Sequence, residues 1–572
     1  MARIRKIEIN NFRSIKSLTW QPAAGINCLI GPGDSGKSTI IDAIDFCLCA
    51  RRTVQFNDAD FYNLDVEAPI SISLTLGELD DSLKSIDAYG FFLHGFDAAT
   101  GAVQDEPEKD LEPVLTLNLT VGSDLEPTWS LVSTRAQAQN TVRNLAWGDR
   151  VRLSPNRIGV LSDFNLGWRR GSVLNRLTDE KADASAALAK AARDARGSFG
   201  DDAEKQLGEA LRIVGETAED LGIDVGGKVR ALLDAHSVSF SGGTISLHDE
   251  DGVPLRNLGV GSTRLMIAGL QRKAAEKLSI LLVDELEYGL EPHRIIRFLA
   301  SLGAKEKAPP LQAFMTTHSP VALRELAGNQ LFVLRNAGGA HVAQCVGTDD
   351  DVQGAIRLYP DAFLAASVIV CEGASEVGLL RGLDQSRTAS GDVSIAACGV
   401  ALVDGKGVDK LIPLAMSFHR LGYRVAVLRD DDKVPAAEVE KAFTKAGNAL
   451  FKWRQGRALE DELFCSLSDT AIGKMLDYAV DLHGESLIDD HIRTATKNGK
   501  DLEAVRLDLI IDGISEDTRV PIGKVARTKN GWFKTVSCME ELAREIVAPD
   551  LKQADADFRM IIEDVFAWAS HD

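Results

Sequence analysis

Positive charge is scarce in this chain of 572 residues: Lys and Arg total 64 against 84 Asp and Glu, a formal net charge of −20. Such a balance argues against a protein that coats nucleic acid by bulk charge, though a local basic groove stays open. Paired cysteines are missing as well. Cys28, Cys47, Cys49, Cys345, Cys371, Cys398, Cys465 and Cys538 form no C-x-x-C pair, and most sit in apolar runs such as CLIG and FCLCA. This excludes a disulfide miniprotein, makes a zinc site improbable, and predicts small buried hydrophobes in a reducing compartment. No apolar run reaches the roughly 18 residues of a membrane span. The opening MARIRKIEINNFRSI alternates and has no apolar signal core, so a cytoplasmic location is expected. With 45% hydrophobic and 26% charged residues the chain is neither disordered nor fibrous. At roughly 100–200 residues per domain, the length implies three or four domains.

What is present reads as alternating strands and helices. KIEINNF alternates like a half-buried strand, GINCLIG is a short apolar strand, and STIIDAIDFCLCARR is an amphipathic helix. PVLTLNLTV and TWSLVSTR continue the strands to about residue 170. From there Ala, Glu, Lys, Arg and Leu dominate, with ADASAALAKAARDAR at the centre, which predicts a helical insertion over 171–238. Strand signals return at VSFSGGTISLHDEDG, followed by a helix at GSTRLMIAGLQRKAAEKL and strands at LSILLVDE and LQAFMTTHS. The acidic, weakly periodic GTDDDVQGAIRLYPDAF marks a second boundary. Beyond it ASVIVCEG, SIAACGVALVDG and RVAVLRDDD, with helices between them, predict a parallel α/β domain. The expected division is 1–170 and 239–350 for one interrupted domain and 360–572 for another.

Gly31-Pro32-Gly33-Asp34-Ser35-Gly36-Lys37-Ser38 fits the phosphate-binding pattern G-x-x-x-x-G-K-[ST], between an apolar strand and a helix. Glycines let backbone N–H groups curl around phosphates, and the helix N-terminus adds a favourable dipole. Lys37 can reach the β and γ phosphates of ATP, Ser38 can ligate Mg²⁺, and Thr39 completes the set. Ser279-Ile280-Leu281-Leu282-Val283-Asp284-Glu285 is a buried strand ending in two acids. Asp284 can hold the Mg²⁺ through water, and Glu285 can polarise the attacking water. In Thr316-Thr317-His318-Ser319-Pro320, His318 can touch the γ phosphate. Each of the last two signals is ordinary by itself: buried strands often end in acids, and a His before Ser-Pro is commonly a loop residue.

The gap of about 250 residues between the loop and the acids, with His318 some 33 residues on, resembles ABC-type ATPases, and more narrowly the RecF/SMC-like branch. Asp284-Glu285-Leu286-Glu287-Tyr288-Gly289-Leu290-Glu291-Pro292 is similar to that branch's DEPE-x-x-LHP run, with Leu286 and Glu291 as departures. IRKIEINNFRSIKSL resembles its first strands. The resemblance implies a signature loop supplied by a second subunit. Its position-matched candidate is Leu258-Gly259-Val260-Gly261-Ser262-Thr263, with Gly261 facing nucleotide, although the usual Ser-Gly-Gly run is missing. Gln55 is a candidate Mg²⁺-sensing glutamine, or an exposed polar residue.

In the second half, Val368-Ile369-Val370-Cys371-Glu372-Gly373 is an apolar strand ending in Glu-Gly, with Glu376 at i+4. A helix beginning at Ala374 would bring Glu376 beside Glu372, at the strand end where parallel α/β sheets bind ligands. In Arg429-Asp430-Asp431-Asp432, Asp430 and Asp432 share a face while Asp431 points away. Converging carboxylates repel and call for divalent cations with oxygen ligands, Mg²⁺ or Mn²⁺. Two such ions can clamp the attacking and leaving oxygens of a phosphodiester. The bland alternative is a solvated DDD loop with Glu372 as a helix N-terminal acid.

Both motifs in this order resemble the Toprim fold of topoisomerases, primases and small nucleases. An ABC-type ATPase followed by Toprim resembles the OLD (overcoming lysogenization defect) family of ATP-dependent endonucleases. The resemblance implies that Glu372, Glu376, Asp430 and Asp432 bind two metals, with Glu372 central to catalysis. Glu460 in KWRQGRALEDELF matches the family's further acid, with Asp461 and Glu462 as rivals. Lys534 in Trp532-Phe533-Lys534 matches a catalytic lysine that could stabilise the charged phosphate; Lys524 and Lys529 are rivals. Gly405-Lys406-Gly407 matches a loop at the site's edge. The implied partners are DNA, a second copy of the chain through the insertion, and a helicase-type subunit in an antiphage defence system. No tyrosine or cysteine cluster recommends a topoisomerase or primase. The rival function is a RecF-like DNA-repair scaffold with a non-cleaving Toprim domain.

Overall fold

The computed structural model describes residues 2–51, 53–159, 163–166, 172–177, 185–220, 228, 231, 247–275, 279–433, 435–454, 456–528 and 531–570. They form two compact units. One comprises Met1–Leu29, Gly36–Leu326 and Gly338–His341; the other comprises Ile30–Ser35, Ala327–Ala337 and Val342–Asp572.

In the first unit a mixed sheet has two regions. Strand Arg3–Phe12 pairs antiparallel with Ile15–Trp20 and with Ile70–Gly77, which pairs in turn with Glu112–Val121. Inward residues Ile7, Ile9, Ile72 and Leu74 are fully buried, as the period-2 pattern requires. The other region is parallel: Asn156–Ile158, Ile280–Val283, Gln312–Thr316 and Ile26–Ile30 lie side by side. Strands covered on both faces need unbroken apolar runs, which ILLV and INCLI supply. Parallel register also brings the carboxyl ends of these strands to a common edge. There the chain enters the phosphate loop, Asp284-Glu285 and Thr317-His318. The Ala-rich segment is a helix over Ser185–Asp220. The predicted strand VSFSGGTIS lies outside the described residues.

In the second unit the sheet order is Val400–Asp404, Ser367–Cys371, Arg424–Arg429, Ala449–Lys452, all parallel. From Ser367–Cys371 the chain crosses to one side for its next strand and to the other side for the one after. The topological switch therefore falls between Ser367–Cys371 and Arg424–Arg429, where loops diverge and leave a crevice. Helices from Leu459–Ser466 to Ala556–Ser570 build a large apolar core against this sheet.

One local expectation is corrected. SIAACG is not strand: Ser394 and Ile395 are held in turns by the Asp384 carboxylate, and the strand starts at Val400. The acidic boundary segment is helical over Asp350–Leu358. Of the cysteines, Cys28, Cys47, Cys49 and Cys371 are buried as expected, whereas Cys345 is exposed.

Helix Ala374–Ala389 reaches the crevice by lying close against Val536–Leu542 and the turn after it. A Cβ on Gly378 would stand 2.6 Å from the Val536 carbonyl oxygen, and one on Gly382 2.2 Å from that of Glu540. Gly382→Ala must therefore push the two segments apart. A loss of about 1–3 kcal/mol is expected, as for other overpacked cores. Urea denaturation with an unchanged midpoint would refute this close-packing account.

Candidate functional site

Glu372 follows Ser367–Cys371 directly, and its N–H donates to the Leu428 carbonyl (2.9 Å). The Asp430 N–H in turn donates to Glu372 Oε2 (3.0 Å), so the two strand ends are tied across the switch point. Asp430 Oδ1 accepts from the Leu459 N–H (3.0 Å). Oxygens of Glu372, Asp430 and Asp432 all lie within 4.8 Å of one another. Asp431 turns away and is buried in an ion pair with the fully buried Arg429 (3.1 Å), as strand alternation predicts. Glu376 stands in the first turn of Ala374–Ala389, where its carboxylate accepts from the Gly373 N–H (2.9 Å).

These residues line a cleft of about 620 Å³ together with Glu460, Gly407, Lys433, Lys524, Arg527 and Lys534. Burial is the main reason the carboxyls of Glu376, Asp430, Glu372 and Glu460 resist ionisation. It pushes Glu376 up to about 8, with the neighbouring Glu460 charge adding to it. Asp430 is raised by burial and by the charges of Glu376 and Glu372, and Glu372 and Glu460 are raised by burial. Glu460 is 4% exposed, and its Oε1 is buried without a hydrogen-bond partner. Such an atom is costly unless something electropositive meets it. The adjacent acids do different work. Glu462 is fully buried in an ion pair with Arg454, while Asp461 caps its own helix through the Ala458 N–H (3.1 Å).

The cationic wall is anchored from below. Trp532 and Phe533 are buried, Trp532 Nε1 donates to His491 Nδ1 (3.0 Å), and this fixes the backbone that carries Lys534. Arg527 donates to Asp432 Oδ2 (2.8 Å) and lies 3.1 Å from Asp461 Oδ2.

Helix Lys37–Leu48 starts after Gly36, whose φ of +88° excludes most side chains; Asp34 also has positive φ. Successive N–H groups in such a loop form an anion-binding concavity. Asp284 Oδ1 accepts from Ser38 Oγ (2.9 Å) and Thr316 Oγ1 (2.8 Å), and Oδ2 lies 3.4 Å from Arg157. The N–H of Glu285 donates to Thr316 Oγ1 (2.8 Å). Ser38 and Asp284 are thus juxtaposed as a Mg²⁺–nucleotide site requires.

Comparison with known proteins agrees with this geometry. Residues 26–324, more than half of the chain, match the family described as "AAA domain, putative AbiEii toxin, Type IV TA system". Residues 363–432 match "Overcoming lysogenization defect protein-like, TOPRIM domain". The chain belongs to the OLD family of ATPase–Toprim fusions. Its fold is accordingly a RecF/SMC-like ABC-type ATPase joined to a Toprim domain.

More distant similarity is short. The DNA replication and repair protein RecF of Prosthecochloris aestuarii is 35% identical over 72 residues, 13% of this chain and 20% of that protein. The chromosome partition protein Smc of Methanocaldococcus jannaschii is 46% identical over 48 residues, 8% of this chain and 4% of that protein. The chain thus spans a fifth or less of these two relatives. A solved Smc head bound to the C-winged helix domain of ScpA covers 59% of this chain and 96% of its own, at 13% identity and a TM-score of 0.35.

Within this OLD-family protein, the predicted acids Glu372, Glu376, Asp430, Asp432 and Glu460 meet in one cleft with Lys534, and Lys524 lines it too. Lys529 lies outside the described residues. The His318 side chain is exposed, while its N–H donates to Glu287 Oε1 (2.7 Å). Gln55 is exposed, and Gly261 is packed so that a Cβ there would stand 2.3 Å from the Gly289 carbonyl oxygen. The departures from the DEPE-x-x-LHP run have local reasons. Leu286 is fully buried in the core, and Glu291 pairs with Arg294 (3.0 Å). Sequence reading missed Thr316, Arg157 and Arg527. A hydroxyl or guanidinium that orients an acid carries no local motif.

Cations and protons compete for the same carboxylates. With its folded value near 8 against an ordinary 4.5, Glu376 keeps its proton in the metal-free fold, and ionising it destabilises the fold. Metal-free stability should therefore fall as pH rises from about 4.5 through 8, and apparent Mn²⁺ affinity should rise over the upper part of that range. Glu376→Gln should lessen both trends, the remainder belonging to Asp430, Glu372 and Glu460. Calorimetric Mn²⁺ titrations and melting curves at pH 6.5 and 8.5 measure this, and a wild-type slope in the variant would defeat the assignment.

Proposed function

We propose that this protein is an ATP-regulated, divalent-metal-dependent endonuclease that nicks or cuts DNA by phosphodiester hydrolysis. One observation carries the reading. Glu372, Asp430 and Asp432 present oxygens within 4.8 Å of one another, beside buried Glu376 and Glu460 and opposite a wall of Lys433, Lys524, Arg527 and Lys534. The partnerless buried Oε1 of Glu460 supports a cation at that wall of the cleft. Bound Mg²⁺ or Mn²⁺, two ions in the fullest form of the site, would supply charge neutralisation and Lewis acidity for in-line displacement at phosphorus.

The chain's own residues provide the rest. Glu372, Glu376, Asp430, Asp432 and Glu460 hold the cations. The Gly373 and Leu459 N–H groups keep Glu376 and Asp430 in place without adding charge. Lys534, fixed by its buried neighbours, meets the negative charge that develops on the phosphoryl oxygens. The other cations seat the flanking backbone, giving a local basic surface on an acidic protein.

In the ATPase, Gly31 to Thr39 cradle the phosphates, Ser38 and Asp284 hold Mg²⁺, Glu285 polarises water, His318 touches the γ phosphate, and Gly261 from a partner copy completes the nucleotide site. Helix Ser185–Asp220 is the proposed dimer contact, and antiphage defence with a helicase-type subunit is the proposed setting. Among the described residues no helix is long and apolar enough to cross a membrane.

Supercoiled plasmid incubated with Mg²⁺ or Mn²⁺, with and without ATP, tests the reading. Wild type should nick or linearise it, and Glu372→Ala should lose at least roughly 100-fold of the rate, the scale of removing a preorganised charge from an active site. Lys37→Ala should abolish ATP hydrolysis and any ATP effect on cutting. Intact plasmid under every metal and nucleotide condition would instead favour a RecF-like scaffold, the reading that the RecF similarity supports.

A further inference from the structure

Arg264, in helix Val260–Lys273, is 1% exposed. A guanidinium gives up much hydration to be there. Its partners are backbone carbonyls: Nη1 donates to Tyr288 O (2.9 Å), and Nη2 to Asp284 O (3.3 Å) and Glu285 O (3.1 Å). The charges of Glu287, Asp284 and Glu285 offset part of the burial cost. Glu285, between these carbonyls, has φ +45°, a left-handed conformation that a non-glycine residue holds only when its surroundings impose it. Its N–H is fixed by Thr316 Oγ1 (2.8 Å) and the next N–H by the Thr316 carbonyl (2.9 Å). The Glu285 peptide unit is thus clamped on both sides, by Thr316 on the N–H side and by Arg264 on the carbonyl side. Two further contacts tie the same helix to the same stretch of chain: Gly261 lies against the Gly289 carbonyl, and Arg294 Nη1 donates to Ser262 Oγ (2.9 Å).

We infer that Arg264 is a positioning residue for ATP hydrolysis, holding the strained Asp284–Tyr288 turn so that the Glu285 carboxylate is aimed at the attacking water. The inference rests on reading Glu285 as the water-polarising acid. Neither Lys nor Met can replace the fork: an ammonium is one point donor on a flexible stem and cannot span carbonyls of residues 284, 285 and 288 together, and a thioether donates nothing. Nucleotide binding uses the phosphate loop and should survive, because Arg264 makes no contact with Gly36, Lys37 or Ser38 among the described hydrogen bonds.

The test uses the full chain with MgATP and compares Arg264→Lys, Arg264→Met, Glu285→Gln and the double variant Arg264→Lys/Glu285→Gln. Melting curves and nucleotide stoichiometry report folding. For Arg264→Lys, kcat should fall ~10–100-fold, the scale of a small misplacement of a catalytic group. Kd for a fluorescent ATP analogue should stay within about threefold of wild type, since that binding is uniform to ground and transition states. The double variant should be no slower than Glu285→Gln alone, because residues that act through one group are not additive. Wild-type kcat in both single Arg264 variants overturns the inference, as does a double variant slower by the product of the single losses. Wild-type kcat in Glu285→Gln overturns instead the reading of Glu285 on which the inference stands.

Discussion

Repulsion among carboxylates gathered at the ends of two neighbouring parallel strands is the constraint to which the Toprim half of this protein answers. At an effective dielectric of about 20, two full charges 4.8 Å apart repel by roughly 3.5 kcal/mol, and the cleft gathers five acids. Nothing in a soluble fold assembles such a group for stability. Four of the five acids are held at the ends of regular elements, Glu372 and Asp430 just past strand ends and Glu376 and Glu460 in helix first turns, while Asp432 lies in the loop after Asp430. The repulsion is met in two ways: burial favours the protonated forms of Glu376 and Asp430, and Arg527 bridges Asp432 and Asp461. Glu460 Oε1 and Asp461 Oδ1 are buried without a hydrogen-bond partner.

The ATPase half repeats the design with one acid in place of five. Asp284 stands at the carboxyl end of a fully buried parallel strand, and its carboxylate is shared among Ser38, Thr316 and Arg157. In both halves the sheet provides rigidity, the strand end provides the charged group, and hydrogen bonds from the next element set its direction. Parallel sheets suit this arrangement because their register brings several strand ends to one edge.

The deficit of positive charge takes on a definite meaning in this light. A net charge of −20 would oppose nucleic-acid binding if spread evenly. Here part of the acid excess belongs to the clefts proposed to take cations, and Lys433, Lys524, Arg527 and Lys534 line the same depression as the Toprim acids. An acidic enzyme can approach a polyanion only where bound cations and such a wall reverse the local sign. The proposed DNA contact is therefore confined to that cleft and depends on its metals.

The sequence by itself determined the order of the two halves, the phosphate loop and the placement of Glu372, Glu376, Asp430 and Asp432 at strand and helix ends. These follow from local rules: apolar runs ending in glycine or acid, period-2 alternation that sends Asp431 away, and a helix register that returns Glu376 to Glu372. It also left choices open that local rules do not reach. LEDE offers three acids in succession, and only the packing of helix Leu459–Ser466 sends Glu460 to the cleft, Glu462 to Arg454 and Asp461 to its own helix end. SIAACG has the composition of a strand and is drawn into turns by Asp384, a residue on another element. Thr316, Arg157 and Arg527 hold carboxylates 32, 127 and 95 residues away in the chain, and Arg264 donates to a backbone carbonyl 20 residues away. Their roles depend on which strands become neighbours. Sheet order and helix packing are global minima of burial and hydrogen bonding, so no window of sequence contains them, and only the tertiary structure decided them.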